Sequence, residues 1–93
     1  MHVQLGGKRW ELVFRKLSDC RGACDDPNKV GKKIQIDSDL SGEEELEVLI
    51  HEMLHAGNWL HRSEESVTRE ADEMSRVLWR LGYRREMKDG DRK

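Results

Sequence analysis

An α+β fold is what this sequence predicts: a small antiparallel sheet of two to three strands, then an active-site helix, then a second helix packed on it. Three observations carry the expectation. Apolar residues in 2–17 and again in 33–37 recur every second residue, the period of a half-buried strand. From Ser41 onward they recur at helical spacing, with stop and start signals at both ends of two segments. The strands also precede the two helices, the order of a small α+β domain.

The elements follow in order. Val3 and Leu5 precede Gly6-Gly7, and Trp10, Leu12 and Phe14 alternate after it, so residues 2–17 read as a hairpin closed by a glycine turn. Residues 18–32 are dense in Gly, Asp and Asn and hold the only proline, and they read as a loop. Residues 33–37, KIQID, place Ile34 and Ile36 on one face and Lys33, Gln35 and Asp37 on the other, a third strand with one face exposed. Ser41 with Glu44 three residues on is a capping-box pattern, and Glu43, Glu44 and Glu45 suit the positive end of a helix. Leu46, Leu49, Ile50, Met53 and Leu54 form the apolar stripe of that helix, and Gly57 ends it. Ser63 is the expected N-cap of the second helix, with Val67, Ala71, Met74, Leu78 and Leu81 inward and Gly82 at its C′ position.

Ninety-three residues, 35% hydrophobic and 39% charged, make one domain over 1–85 and a charged, frayed tail over 86–93. No run of about 18 apolar residues is present, which excludes a membrane-spanning helix. The first ten residues lack the apolar core of a signal peptide, so a cytoplasmic protein is expected. A net charge of −2 argues against broad nucleic-acid binding. Cys20 and Cys24 are too few for a disulfide framework and read as ordinary thiols. A core this small benefits from a metal ion, which directs attention to ligands.

His51-Glu52-Met53-Leu54-His55 is an HExxH pattern inside the first helix. Histidines at i and i+4 share a helical face, so both imidazoles reach one zinc ion at about 2.0–2.1 Å. Glu52, beside the first ligand, is placed to act as general base on a water whose pKa zinc lowers toward about 7. One Zn2+ per chain is expected. A catalytic site needs a third protein ligand, and four residues are candidates: Glu64, on the side of the second helix that meets the first; Glu65, pointing away from Val67; Glu70, a turn or more further on; and His61, ten residues after His51.

HEMLHAGNWLH resembles the long metzincin motif, with His61 as third ligand. Asn58 stands where that motif turns, Gly57 comes one place early, and no methionine turn follows, Met74 reading as helix and Met87 as tail. The stretch Glu64-Glu65-Ser66-Val67-Thr68 resembles more closely, in loose form, the gluzincin pattern in which a glutamate of the following helix binds the metal, and it favours Glu64. Residues 30–85 together resemble small zincin-like metallopeptidase domains of the kind found in bacterial and phage genomes. The resemblance implies a zinc-dependent peptide hydrolase acting on a peptide or protein substrate, with His51, His55 and a glutamate on the metal and Glu52 catalytic. In larger zincins the edge strand before the active-site helix pairs with extended substrate, a role that would here fall to Lys33, Gln35 and Asp37.

Other features have plainer readings. Trp59 and Trp79 are expected to complete the core. Arg69, Arg76, Arg80 and Arg84 form a stripe on the second helix that Asp72 and Glu73 can pair. Tyr83 or a nearby arginine could steady an oxyanion, and the sequence selects none. A single lobe offers a shallow cleft, so the alternative function is a metal-stabilised binding module without turnover. A nucleic-acid binder using the arginine stripe is the third.

Overall fold

The structure, a computed structural model, describes residues 1–57 and 63–86. The fold class is α+β, as expected: β1 (His2–Leu5), β2 (Lys8–Arg15), β3 (Gly22–Cys24), β4 (Lys33–Asp37), α1 (Gly42–Gly57) and α2 (Glu64–Arg80). The tail residues 87–93 lie outside the described residues, as do Asn58, Trp59 and His61. No helix among the described residues is long and apolar enough to cross a membrane.

The sheet differs from expectation in two respects. It has four strands in the order β1-β2-β4-β3, and it is mixed. β1 and β2 form the antiparallel hairpin, with Gly6 and Gly7 at φ 60° and 75°, the paired positive values a two-residue hairpin turn requires. β4 then pairs parallel to β2, setting Leu12 against Ile34 and Phe14 against Ile36. The chain can return in parallel because residues 16–32, of which 18–32 read as loop, cross over and deposit β3 antiparallel on the far side of β4. Three residues, one of them glycine, are too short to show a strand period.

One face of the sheet holds the core. Trp10, Ile34 and Ile36 are fully buried and pack with Val48 and Ala56 of α1, and Trp10 Nε1 donates to the Leu5 carbonyl at 3.2 Å. α1 therefore packs between the sheet and α2.

The helix ends are partly as the sequence indicates. Ser63 caps α2, its Oγ accepting from Ser66 N at 3.1 Å. Gly82, at φ 92°, ends it with the bonds Gly82 N to Trp79 O and Tyr83 N to Leu78 O, both 3.0 Å. At α1 the first turn instead opens on Gly42 at φ 63°, and Glu44 reaches outward to Arg21 (2.9 Å) rather than back to Ser41. The inward stripe of α2 is Val67, Ala71 and Ser75, all at most 1% exposed, while Met74 and Leu81 are exposed. Small side chains at i, i+4 and i+8 allow the helices to approach closely, and the larger ones are displaced to the flank. Arg76 pairs with Asp72 (2.9 Å), and Arg84 stacks on Trp79 at 3.3 Å, so these two members of the stripe are engaged locally.

β3 lies tightly against α1. A Cβ on Gly22 would sit 2.8 Å from Val48 Cγ1 and 3.1 Å from both Cγ and Oε2 of Glu52. Gly22→Ala is therefore expected to lower the stability by about 1–3 kcal/mol through overpacking. A urea titration checks this, and an unchanged midpoint would contradict the close approach.

Candidate metal centre

α1 brings His51 and His55 onto one face because four residues make just over a turn. Their rings lie 4.9 Å apart, edge to face, and are about one-fifth exposed. Glu64, the first residue of α2, faces both. Its Oε1 is 2.8 Å from His51 Nε2 and its Oε2 is 2.7 Å from His55 Nε2. The Ser63 cap fixes where α2 starts, and the buried Val67 one turn on fixes which way Glu64 points. An acid at this position is also favoured by the helix dipole.

These three residues can hold a metal ion: one ligand atom from each lies within 4.8 Å of the others. In a tetrahedral site, ligand bonds of about 2.0–2.2 Å place donor atoms roughly 3.3 Å apart, so the carboxylate oxygens would withdraw by about half an ångström from the imidazoles they meet here. The Glu64 side chain is 70% exposed and has room to do so.

Of the other candidates for third ligand, Glu65 is exposed and outside the group. Glu70 accepts from Ser66 Oγ at 2.8 Å on its own helix and is also outside it. His61 lies outside the described residues. Glu64→Ala is accordingly expected to weaken zinc binding by more than the roughly 10–100-fold that loss of an outer-shell partner costs, and Glu65→Ala to leave it near wild type. Competition titrations with a chromophoric chelator read both, and the reverse order would exclude Glu64 as ligand.

Glu52 occupies the next position around α1, turned toward the sheet, and is 9% exposed. Its carboxyl titrates above the ordinary range, chiefly because burial penalises the charge; His51 and His55 pull it down and Glu64 pushes it up. A cavity of about 280 Å3 opens here, with Glu52, His51, Val48 and Glu47 on the α1 side and Gly22 on the β3 side. Glu64 closes it from α2 and Arg21 from the end of β3.

The substrate-binding assignment to Lys33, Gln35 and Asp37 is corrected by the topology. β4 is an inner strand, paired with β2 on one side and β3 on the other, so its backbone has no free edge. Ile34 and Ile36 face the core, so the three polar side chains point to the opposite face of the sheet. There Gln35 Oε1 accepts from Arg15 (3.2 Å), and Asp37 Oδ1 accepts from Leu17 N and Asp39 N. Among the described residues, the free edge nearest the metal centre is β3. Asp37 N bonds the Arg21 carbonyl and Asp25 N the Lys33 carbonyl, which makes Gly22 and Cys24 the non-bonded partners in the ladder and turns their own N–H and C=O groups outward. The sequence carried no signal for this beyond the small residues Gly22-Ala23-Cys24.

Cys20 is exposed and Cys24 half-buried, and neither joins the metal group. Burial pushes the Cys24 thiol up to about 12, with the charges of Glu52 and Asp25 adding to it, which keeps it protonated and inert at neutral pH.

In comparisons with known proteins, the chain matches no family model, no curated protein and no solved structure.

Proposed function

We propose that the protein is a zinc-dependent peptide hydrolase. The observation that carries this reading is the convergence of His51, His55 and Glu64 on one point, with the Glu52 carboxylate lining the same cavity. Two imidazoles and a carboxylate suit zinc among the common divalent ions, and three protein ligands leave a tetrahedral ion one open position. Zinc held by these ligands would supply Lewis acidity and lower the pKa of the attacking water.

The chain's own residues do the rest. Glu52 takes a proton from the attacking water as its oxygen bonds to the peptide carbonyl carbon, then delivers that proton to the departing amine, so that water is consumed and a carboxylate and an amine are released. Gly22 and Cys24 offer outward backbone groups for an extended substrate running along β3, next to the metal ligands. The tight packing of Gly22 on Glu52 keeps strand and general base in fixed relation.

The test is hydrolysis of a mixed peptide library followed by mass spectrometry. It uses zinc-loaded protein, the same protein after chelation, and the chelated protein with zinc restored. Cleavage that disappears and returns with zinc supports the reading. If zinc binds and no peptide is cut, the protein is instead a metal-stabilised binding module.

A further inference from the structure

We propose that Glu47 makes the cavity beside the metal centre a subsite for a cation, so that the protein selects a positively charged group, a Lys or Arg side chain or a free α-ammonium, flanking the bond it acts on. The inference rests on the peptide-hydrolase reading and adds its substrate class.

Glu47, His51 and His55 follow one another at i, i+4 and i+8 on α1, each step rising about 6 Å. Glu47 thus lies on the same face as the ligands, one turn before the first of them, and it lines the cavity. Among the other charges there, Arg21 and Glu64 are already engaged. Arg21 is held by Glu44 at 2.9 Å. Glu64 is held by both histidines. Glu52 is nine-tenths buried at the cavity wall, and among the described residues no hydrogen-bond donor reaches it.

Glu47 is half-buried and, among the described residues, enters neither an ion pair nor a hydrogen bond. With a divalent ion on the ligands, Glu52 and Glu64 balance its charge and the Arg21–Glu44 pair is neutral. The Glu47 carboxylate is the remainder, a negative charge in a partly desolvated wall of the cavity that Gly22 of β3 also lines. A cationic group is what such a wall receives at least cost, and an acidic one is repelled.

The experiment uses zinc-loaded Glu52→Gln protein, in which binding is read without turnover. Fluorescent peptides carrying Lys, norleucine or Glu at the position flanking the central bond, each with a free or an acetylated amino terminus, are titrated by anisotropy. Lys peptides are expected to bind roughly tenfold tighter than norleucine peptides, the size of one charge-assisted contact, with Glu peptides weakest. Glu47→Gln in the same background is expected to abolish the difference while keeping the melting temperature. A preference that follows the acetylation state assigns the cation to the peptide's amino terminus, and one that follows Lys assigns it to a side chain; either supports the subsite. Equal affinity for all peptides, a preference that survives Glu47→Gln, or no binding overturns it. kcat/KM of the Glu52-intact protein on the same peptides is measured separately, so that absence of cleavage with the cation preference intact removes the hydrolase reading and leaves the subsite standing.

Discussion

Glu52→Gln is expected to lower kcat/KM for peptide hydrolysis by roughly 10²–10⁴-fold, the usual contribution of a general base, while zinc content stays at about one per chain. Glutamine preserves the volume of the side chain and removes only the base. That matters at this position, because β3 approaches the side chain closely: a Cβ on Gly22 would lie only 3.1 Å from Oε2. Burial disfavours the ionised carboxylate here, so exchanging it for a neutral amide is expected to hold or raise the melting temperature. Loss of activity with retained metal and retained stability separates a chemical role from a structural one. Wild-type turnover in this variant would falsify the mechanism, and loss of metal together with folding would make Glu52 a structural residue.

His55→Ala has the second large effect, on metal and stability together. Zinc bound by the native chain alone stabilises it by mass action, about 4 kcal/mol at a free concentration a thousandfold above Kd. In a domain of this size each kcal/mol is worth about 4–8 °C, so chelation of wild type is expected to lower the melting temperature by on the order of 15–30 °C. His55 and Glu64 are one of the contacts joining the end of α1 to the start of α2, at 2.7 Å, and the ion would join them more firmly. The alanine variant should purify with little zinc, melt near the chelated wild type and respond little to added zinc. Calorimetry with and without chelator on both proteins decides the matter. A wild-type melting temperature that ignores chelation would rule out the stabilising role.

Much of the local structure was legible from side-chain pattern. The Gly6-Gly7 turn, the Ser63 cap and the Gly82 stop are each set by one or two residues acting on neighbouring backbone, and each forms where the sequence places it. His51 and His55 share a face because helical spacing requires it. The Ser41 capping box illustrates the limit of such reasoning. Its Glu44 had a competing partner, Arg21, that is twenty-three residues away in the chain and adjacent only after β3 has docked.

The sequence by itself determined the α+β order, the helix boundaries, the pairing of the two histidines and the identity of the glutamate between them. These rest on short-range periodicity and capping, which act within a turn or two of helix. The tertiary structure decided which glutamate of the next helix meets the histidines, since that depends on how α2 is rotated by Val67, Ala71 and Ser75 against α1. It decided as well that β4 is an inner strand and β3 an edge strand of the sheet. Strand neighbours are chosen by long-range hydrogen bonding and by burial of Ile34 and Ile36, and a three-residue strand leaves no periodic trace of that choice in the chain.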